Sequence, residues 1–216
     1  MFKHEFQFPK TGRYFSLQPI QGDEQDLWIV LHGYKQLASF FIKKFDVPES
    51  DGFALVAPEG MHRFYLTGYN GRVGASWMTR EERESDIADY VRALDILVDE
   101  VLTQFKTPPR INVLGFSQGA ATATRWLCRG RTKANRLVLW AGSFPPDVNY
   151  DSDVVKLNAM NLTLVIGDQD QFIQADDIIH VKELLDQHQV QYQLHKFQGG
   201  HDIDAAVLGQ LLKNQL

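Results

Sequence analysis

The sequence predicts an α/β fold built on a mostly parallel, doubly wound sheet. Short, almost continuously apolar runs alternate along the chain with segments of helical period. Runs of this kind are typical of parallel strands, because helices cover both faces of such a sheet. The alternation itself favours helices packed on both sides of one sheet. The runs are Leu27–Leu31, Phe53–Ala57, Ile111–Phe116, Arg136–Trp140 and Leu162–Ile166.

Two segments nearer the chain ends differ, because apolar and polar residues alternate in them. His4–Phe8 and Arg13–Leu17 flank the turn sequence Pro9-Lys10-Thr11-Gly12, which predicts an N-terminal antiparallel hairpin at a sheet edge. Gln191–Phe197 also alternates, so we expect another strand near an edge there.

Apolar residues at three- and four-residue spacing mark the helices. The clearest segment runs from Ile87 to Phe105, and the Pro108-Pro109 pair ends it. Thr79–Glu82 precedes this segment and predicts a capping box. Three further helices are expected, at Ala120–Cys128, Ile178–Leu185 and Val207–Leu212.

Length and composition favour one domain over residues 1–216. The 216 residues are 44% apolar and 23% charged, which is ordinary for a globular protein. A net charge of −5 offers no basic face, so we expect no nucleic-acid partner. No segment approaches the roughly 20 apolar residues of a membrane span, and the N-terminus lacks the apolar run of a secretory signal. With Cys128 as the single cysteine, we expect a cytoplasmic protein without disulfides or integral membrane association.

The strongest motif lies at the end of a predicted strand. Gly115-Phe116-Ser117-Gln118-Gly119 matches G-x-S-x-G and stands between a buried strand and a helix. The two glycines allow an abrupt turn that exposes the serine hydroxyl at its tip. An incidental serine in a glycine-flanked turn is the alternative, and the strand–turn–helix context argues against it. We therefore predict Ser117 as a nucleophile.

A serine hydroxyl needs a base to take its proton, and in hydrolases with this motif the acid and then the histidine follow the serine in the chain. Of the histidines after Ser117, only His201 follows a strand in a loop, Gln198–Asp202. The others lie in a predicted helix or strand and are His180, His188 and His195. For the acid, the run ending at Ile166 leads into Asp168 and Asp170, and either carboxylate can orient the imidazole.

With these residues in place, the chain resembles the phospholipase/carboxylesterase branch of α/β-hydrolases, which includes the acyl-protein thioesterases. The similarity runs from about Leu27 to the C-terminal helix. It implies an α/β-hydrolase fold, and the family's G-x-x-D segment, here Gly167–Asp170, assigns the acid role to Asp170. It also implies an oxyanion hole formed by the backbone N–H groups of Tyr34 and Gln118.

The resemblance also implies a substrate side. Ser76-Trp77 falls where the family has a substrate-side tryptophan. Apart from the resemblance, the loop from Met61 to Met78 is the one candidate pocket wall, because it carries several aromatic residues. The sequence departs from many relatives at Tyr34-Lys35-Gln36, where they carry a glycine-aspartate segment, and at Gln171–Gln174, where they carry prolines. These departures predict a divergent esterase rather than a close acyl-protein thioesterase. The candidate substrate-binding residues are Trp77, Met78, Phe64 and Tyr65.

The expected activity is hydrolysis of a small-molecule carboxylic ester or thioester through a Ser-His-Asp triad, without a cofactor. No residue cluster has metal-site spacing, and no glycine-rich phosphate loop is present. Ala141–Asn161 is too short for a large lid domain, which predicts short, soluble acyl substrates. The alternatives are a peptidase or amidase on the same fold and a catalytically silent binding protein.

Overall fold

The described structure is a computed structural model covering residues 1–48 and 52–213. Its strands are β1 (Tyr14–Ser16), β2 (Asp26–Leu31), β3 (Ala54–Pro58), β4 (His62–Tyr65), β5 (Val73–Ser76), β6 (Arg110–Phe116), β7 (Arg136–Trp140), β8 (Asn161–Gly167) and β9 (Gln193–Phe197). Its helices are α1 (Ala38–Phe41), which a 3-10 turn at Ile42–Phe45 continues, α2 (Arg83–Leu102), α3 (Gln118–Arg129), α4 (Tyr150–Asn158), α5 (Ala175–Gln187) and α6 (Ala205–Leu212).

The predicted mostly parallel, doubly wound sheet is confirmed. Seven strands pair in the order β1-β3-β2-β6-β7-β8-β9, and every pairing except β1–β3 is parallel. Alternate residues of β2 enter separate cores: Leu27 and Ile29 pack with α2 and α3, whereas Trp28 and Val30 pack with α1 and α6. Because parallel strands end on the same side, one edge of the sheet collects the ends of β2, β3, β6, β7 and β8.

At the N-terminus, an antiparallel edge strand is present as expected, but its partner differs from the prediction. β1 pairs antiparallel with β3, with Phe15 opposite Ala57. The segment His4–Phe8 forms no strand, and Phe6 and Phe8 are exposed. A lone hairpin would bury little apolar surface, whereas pairing with β3 extends a packed sheet.

The described structure differs from the sequence predictions in three further respects. The segment from Met61 to Met78 contains an antiparallel hairpin of β4 and β5 rather than a loop. The capping box predicted at Thr79–Glu82 is wrong, because Glu82 precedes α2 in a left-handed conformation without a side-chain cap. The sequence analysis also missed helices α1, between β2 and β3, and α4, between β7 and β8.

Candidate active site

Ser117 lies at a sharp turn between β6 and α3. Its φ of 54° is in the left-handed region, a strained conformation for a residue with a side chain. A Cβ at Gly115 would lie 2.2 Å from the carbonyl oxygen of Gly119, and one at Gly119 would lie 2.2 Å from that of Leu31. Only glycine fits at either position, so the motif's glycines allow the strand, the turn and the helix to approach this closely.

The structure brings His201 and Asp170 to the Ser117 hydroxyl. The Nε2 atom of His201 lies 3.0 Å from Ser117 Oγ, and its Nδ1 atom lies 2.7 Å from Asp170 Oδ2. The Asp170 side chain is fully shielded from solvent, whereas that of His201 is 16% exposed. These contacts form a continuous hydrogen-bonded chain from a buried carboxylate to the hydroxyl of the half-buried Ser117.

The two aspartates after β8 have different partners. The second Asp170 oxygen accepts hydrogen bonds from the backbone N–H groups of Phe172 at 2.8 Å and Ile173 at 3.2 Å, which fix the carboxylate. Asp168 instead accepts from the Gly199 N–H at 3.1 Å and braces the loop that carries His201. Asp168 therefore has the turn-stabilising role that is common for aspartate.

Two aromatic rings and a hydrogen bond to the following residue hold His201 in place. Phe116 and Phe172 lie against the His201 ring, with centroid distances of 5.0 and 4.7 Å. The carbonyl of Asp202 accepts the indole N–H of Trp140 at 2.9 Å, so β7 holds the loop directly after His201. Phe172 belongs to Gln171–Gln174, so this segment also contacts the histidine.

The two predicted oxyanion donors belong to two segments that adjoin Ser117. Gln118 is the first residue of α3, and the backbone N–H groups of a first helical turn have no acceptor within the helix. Tyr34 follows Gly33, and a Cβ at Gly33 would lie 3.1 Å from the Cβ of Ser117. The Gly33 N–H donates to the Gln36 side chain at 2.8 Å, which closes this loop.

His32, at the end of β2, is a fully buried structural link. Its Nε2 accepts the Gly60 N–H at 2.9 Å, so its proton is on Nδ1, which donates to the Gly33 carbonyl at 2.7 Å. Burial lowers the pKa of His32, although the bond to Gly33 and the charge of Glu59 oppose this change. The neutral imidazole thus joins the ends of β2 and β3.

The four candidate substrate-binding residues occupy different environments. Trp77 is 2% exposed, lies in the core and donates its indole N–H to the His32 carbonyl at 2.8 Å. Met78 is partly buried, with its sulfur 3.7 Å from an Arg125 nitrogen. Phe64 stacks on the ring of Tyr34 with a centroid distance of 5.5 Å, and the neighbouring Tyr65 is 51% exposed.

Sequence reasoning missed a cluster of ion pairs that anchors the loop after β7, which passes close to Ser117. Asp147 accepts hydrogen bonds from Arg83 at 2.7 Å and from Arg125 at 2.8 Å, and also pairs with Arg129. Burial opposes ionisation of Asp147, but these arginines hold its pKa at about 2. The cluster fixes the loop after β7, and a Cβ at Gly142 in that loop would lie 2.7 Å from the Ser117 carbonyl oxygen. The sequence around Asp147 does not reveal this role, because Pro145-Pro146-Asp147 is an ordinary turn sequence and the arginines come from distant segments.

Other reactive groups lie away from the Ser117 site. Cys128 is buried on α3, and burial raises its pKa to about 12, so it is a small core residue rather than a reactive thiol. Within residues 1–48 and 52–213, no group of three or more His, Cys, Asp or Glu side chains is arranged to hold a metal ion. Over the same residues, no helix is both long and apolar enough to span a bilayer.

Comparison with known proteins agrees with this fold. The sheet and the strand–serine–helix turn define the class of α/β-hydrolases. The family model described as phospholipase/carboxylesterase matches residues 13–214, and the chain belongs to that family. No protein of curated function matches the chain significantly.

Solved structures share the fold at low sequence identity. Esterase PE8 superposes with a TM-score of 0.69 at 21% identity, over 95% of this chain and 99% of that one. Acyl-protein thioesterase 2 of Zea mays gives 0.70 at 15% identity, over 94% and 97% of the two chains. The carboxylesterase of Bacillus cereus gives 0.67 at 15% identity, over 94% and 93%. At these identities the likeness is one of fold.

Proposed function

We propose that this protein is a serine hydrolase that cleaves small-molecule carboxylic esters or thioesters through an acyl-enzyme. The observation that carries the proposal is the chain of contacts from Asp170 through His201 to Ser117, with distances of 2.7 and 3.0 Å. A nucleophile within hydrogen-bonding reach of a base, which a third group orients, is the arrangement that activates a serine.

In the proposed mechanism, Ser117 Oγ attacks the carbonyl carbon while His201 Nε2 takes the hydroxyl proton. Asp170 holds the imidazole with its proton on Nδ1 and stabilises the imidazolium that forms. The backbone N–H groups of Tyr34 and Gln118 stabilise the oxyanion, an effect of about 3–4 kcal/mol per donor. His201 then gives its proton to the leaving alcohol or thiol. Water, activated by the same histidine, releases the acid and restores Ser117.

The substrate side of the proposal rests on the hairpin β4–β5. Phe64, stacked on Tyr34, and the exposed Tyr65 offer an aromatic surface beside the proposed oxyanion hole, and Met78 adds a partly buried thioether. Trp77, by contrast, supports this wall from the core. The interval between β7 and β8 holds only the short helix α4, so the proposed site is open and suits short, soluble acyl groups.

We further propose that residues 1–216 act as one α/β-hydrolase domain in the cytoplasm, without a cofactor. The single cysteine, buried on α3, fits a reducing compartment. A peptidase or amidase reaction on the same triad, or a catalytically silent binding role, are the competing functions.

A fluorophosphonate probe tests the proposal directly. The probe phosphonylates an activated serine, so we expect labelling at Ser117 alone, mapped by peptide mass spectrometry and blocked by excess ester substrate. The Ser152→Ala variant is the matched control, because the Ser152 hydroxyl on α4 bonds to the nearby Asn149 and Asp153, and it should label normally. Absence of labelling in the folded protein would favour the silent binding role. Labelling with faster amide than ester turnover would favour the amidase.

A further inference from the structure

The side-chain amide of Gln118 makes a set of contacts that the proposed chemistry does not use. Its Oε1 accepts the Trp77 backbone N–H at 3.2 Å, and its Nε2 donates to the Met78 carbonyl at 2.9 Å. The Ser76 hydroxyl lies 3.1 Å from Nε2 and 3.3 Å from Oε1. The first residue of α3 is therefore bonded through both ends of its amide to Ser76–Met78, the segment we call the β5 extension.

The same strand and its extension also hold the loop that carries Tyr34. The Trp77 indole donates to the His32 carbonyl at 2.8 Å, two residues before Tyr34. On the other side of Tyr34, the Lys35 N–H donates to the Ala75 carbonyl at 2.9 Å, and the Ala75 N–H donates to the Gln36 carbonyl at 3.1 Å. Tyr34 is thus fixed from both sides by residues 75–77.

Backbone geometry indicates that the Tyr34 loop needs this support. Lys35 has a φ of 68°, a left-handed conformation that is costly for a residue with a side chain. A Cβ at Gly74 would lie 2.4 Å from the Lys35 carbonyl oxygen. β5 can therefore approach the loop this closely only because residue 74 is glycine. The contacts with β5 therefore hold a strained turn in one arrangement.

We propose that the Gln118 side chain is a positioning residue that sets the distance between the two oxyanion donors. The hydrogen bonds run from its amide through the β5 extension to the residues around Tyr34, while its own backbone N–H is the other donor. This inference rests on the proposed hydrolase function. Only a group that accepts and donates at once satisfies both Trp77 and Met78. A glutamate carboxylate accepts but cannot donate until it is protonated, and methionine provides neither interaction.

The consequence is specific to the transition state, because the oxyanion exists only there. We expect Gln118→Met to lower kcat by about 10- to 100-fold, less than the loss of a donor outright, with KM nearly unchanged. A trifluoromethyl ketone, which forms a tetrahedral adduct with the serine, should lose affinity in proportion to kcat. Gln118→Glu should recover kcat relative to wild type as pH falls, because its protonated form can donate to Met78. Gln210→Met, on the exposed face of α6, is the control and should behave as wild type.

The outcomes separate this inference from the proposed function. If the wild-type protein neither labels at Ser117 nor hydrolyses esters, the function and the inference fall together. If wild type is active but both Gln118 variants keep its kcat, the inference alone is overturned. A parallel fall of kcat, thermal midpoint and substrate affinity, without pH recovery in Gln118→Glu, would assign the residue a structural role and also overturn it. The Gln118→Glu variant keeps the side-chain shape, so the test does not depend on the methionine variant folding.

Discussion

Both ends of the parallel sheet carry buried or half-buried polar residues, but they differ in backbone strain and in the hydrogen-bond partners of these residues. At the carboxyl ends, Ser117 and Lys35 have positive φ angles, and a hydroxyl faces an imidazole. At the amino ends, the Asp26 carboxylate accepts hydrogen bonds from Arg110 Nε at 3.0 Å, from Arg110 Nη2 at 2.6 Å and from the Asn112 amide at 3.0 Å. A cavity of about 500 Å³ lies at the amino ends, and no histidine or serine lines it.

The contrast shows that polarity and cavity size alone do not identify a reactive site. Asp26 and its partners satisfy one another with strong donors and acceptors, and their backbone stays in ordinary conformations. The Ser117 end instead places a serine hydroxyl against an imidazole and keeps a strained turn there. Strain retained beside a nucleophile points to function, whereas a satisfied ion pair points to stability.

The largest expected effect is that of Ser117→Ala, which removes the proposed nucleophile. We expect kcat for ester hydrolysis to fall by about 10⁶-fold, as for the serine of a comparable triad. Stability should not fall, because alanine removes one partly exposed hydroxyl. The measurements are kcat on a p-nitrophenyl ester and the circular dichroism spectrum. Substantial turnover with an unchanged spectrum would assign the chemistry to another residue.

The next effect compares the two aspartates after β8. Asp170→Asn should lower kcat by about 10⁴-fold, because an amide in that place no longer holds the histidine in the required tautomer. Asp168→Asn should stay close to wild type, since its bond is to the Gly199 N–H, which an amide oxygen also accepts. The comparison is kcat/KM of the two variants in parallel. The reverse order of activities would exchange the two roles.

The strands and the serine turn could be predicted from the sequence because their signals are local. The apolar runs of β2, β3, β6, β7 and β8, and the glycines around Ser117, each carry the information within a few residues. The choice between Asp168 and Asp170 is different. The two side chains leave the same short segment, and only the tertiary position of His201 separates them, so residue types alone could not decide.

The missed features depend on contacts between distant segments. β1 pairs with β3 rather than with His4–Phe8, because the sheet edge offers more packing than a local turn. The hairpin β4–β5 is short and half exposed, so its residues show little apolar periodicity. Trp77 was placed on the substrate side by resemblance, yet the structure puts its ring in the core beside His32, at a centroid distance of 5.0 Å.

A smaller effect concerns the acyl group. The short α4 indicates an open site at the carboxyl ends of the strands. We therefore expect kcat/KM to fall by about tenfold or more from short acyl esters to palmitate, because a shallow site gains little binding energy from added methylenes. The measurement is a p-nitrophenyl ester series from acetate upward, below and above the critical micelle concentration of the long esters. A rise towards palmitate, or a jump in rate when micelles form, would indicate a deep acyl channel.

His32 gives a pH-dependent effect on stability. Its folded-state pKa is lowered, so the unfolded chain binds the proton more readily and the free energy of unfolding falls as pH drops below about 6.5. The stabilisation is complete above that pH and is lost progressively towards the folded-state pKa. In His32→Gln, an amide replaces the imidazole as donor and acceptor, so this part of the pH dependence should vanish. The measurement is urea unfolding of both proteins between pH 5 and 8, about 1.5 units on either side of 6.5. If the free energy of unfolding changes with pH by the same slope in both proteins, His32 does not titrate in this range.

The smallest effect is expected at the amino end, where Asp26→Asn makes the same chemical change as Asp170→Asn. We expect kcat/KM to stay at the wild-type value, because the variant lies at the opposite end of the sheet and shares no partner with Ser117. Unfolding should shift slightly towards lower urea, and the shift should shrink in about 1 M salt, because the side chain of the partner Arg110 is 58% exposed and salt screens such pairs. A loss of activity like that of Asp170→Asn would remove the distinction between the two ends. An unchanged rate with a salt-sensitive loss of stability would confirm that one end of the sheet carries an ion pair and the other the chemistry.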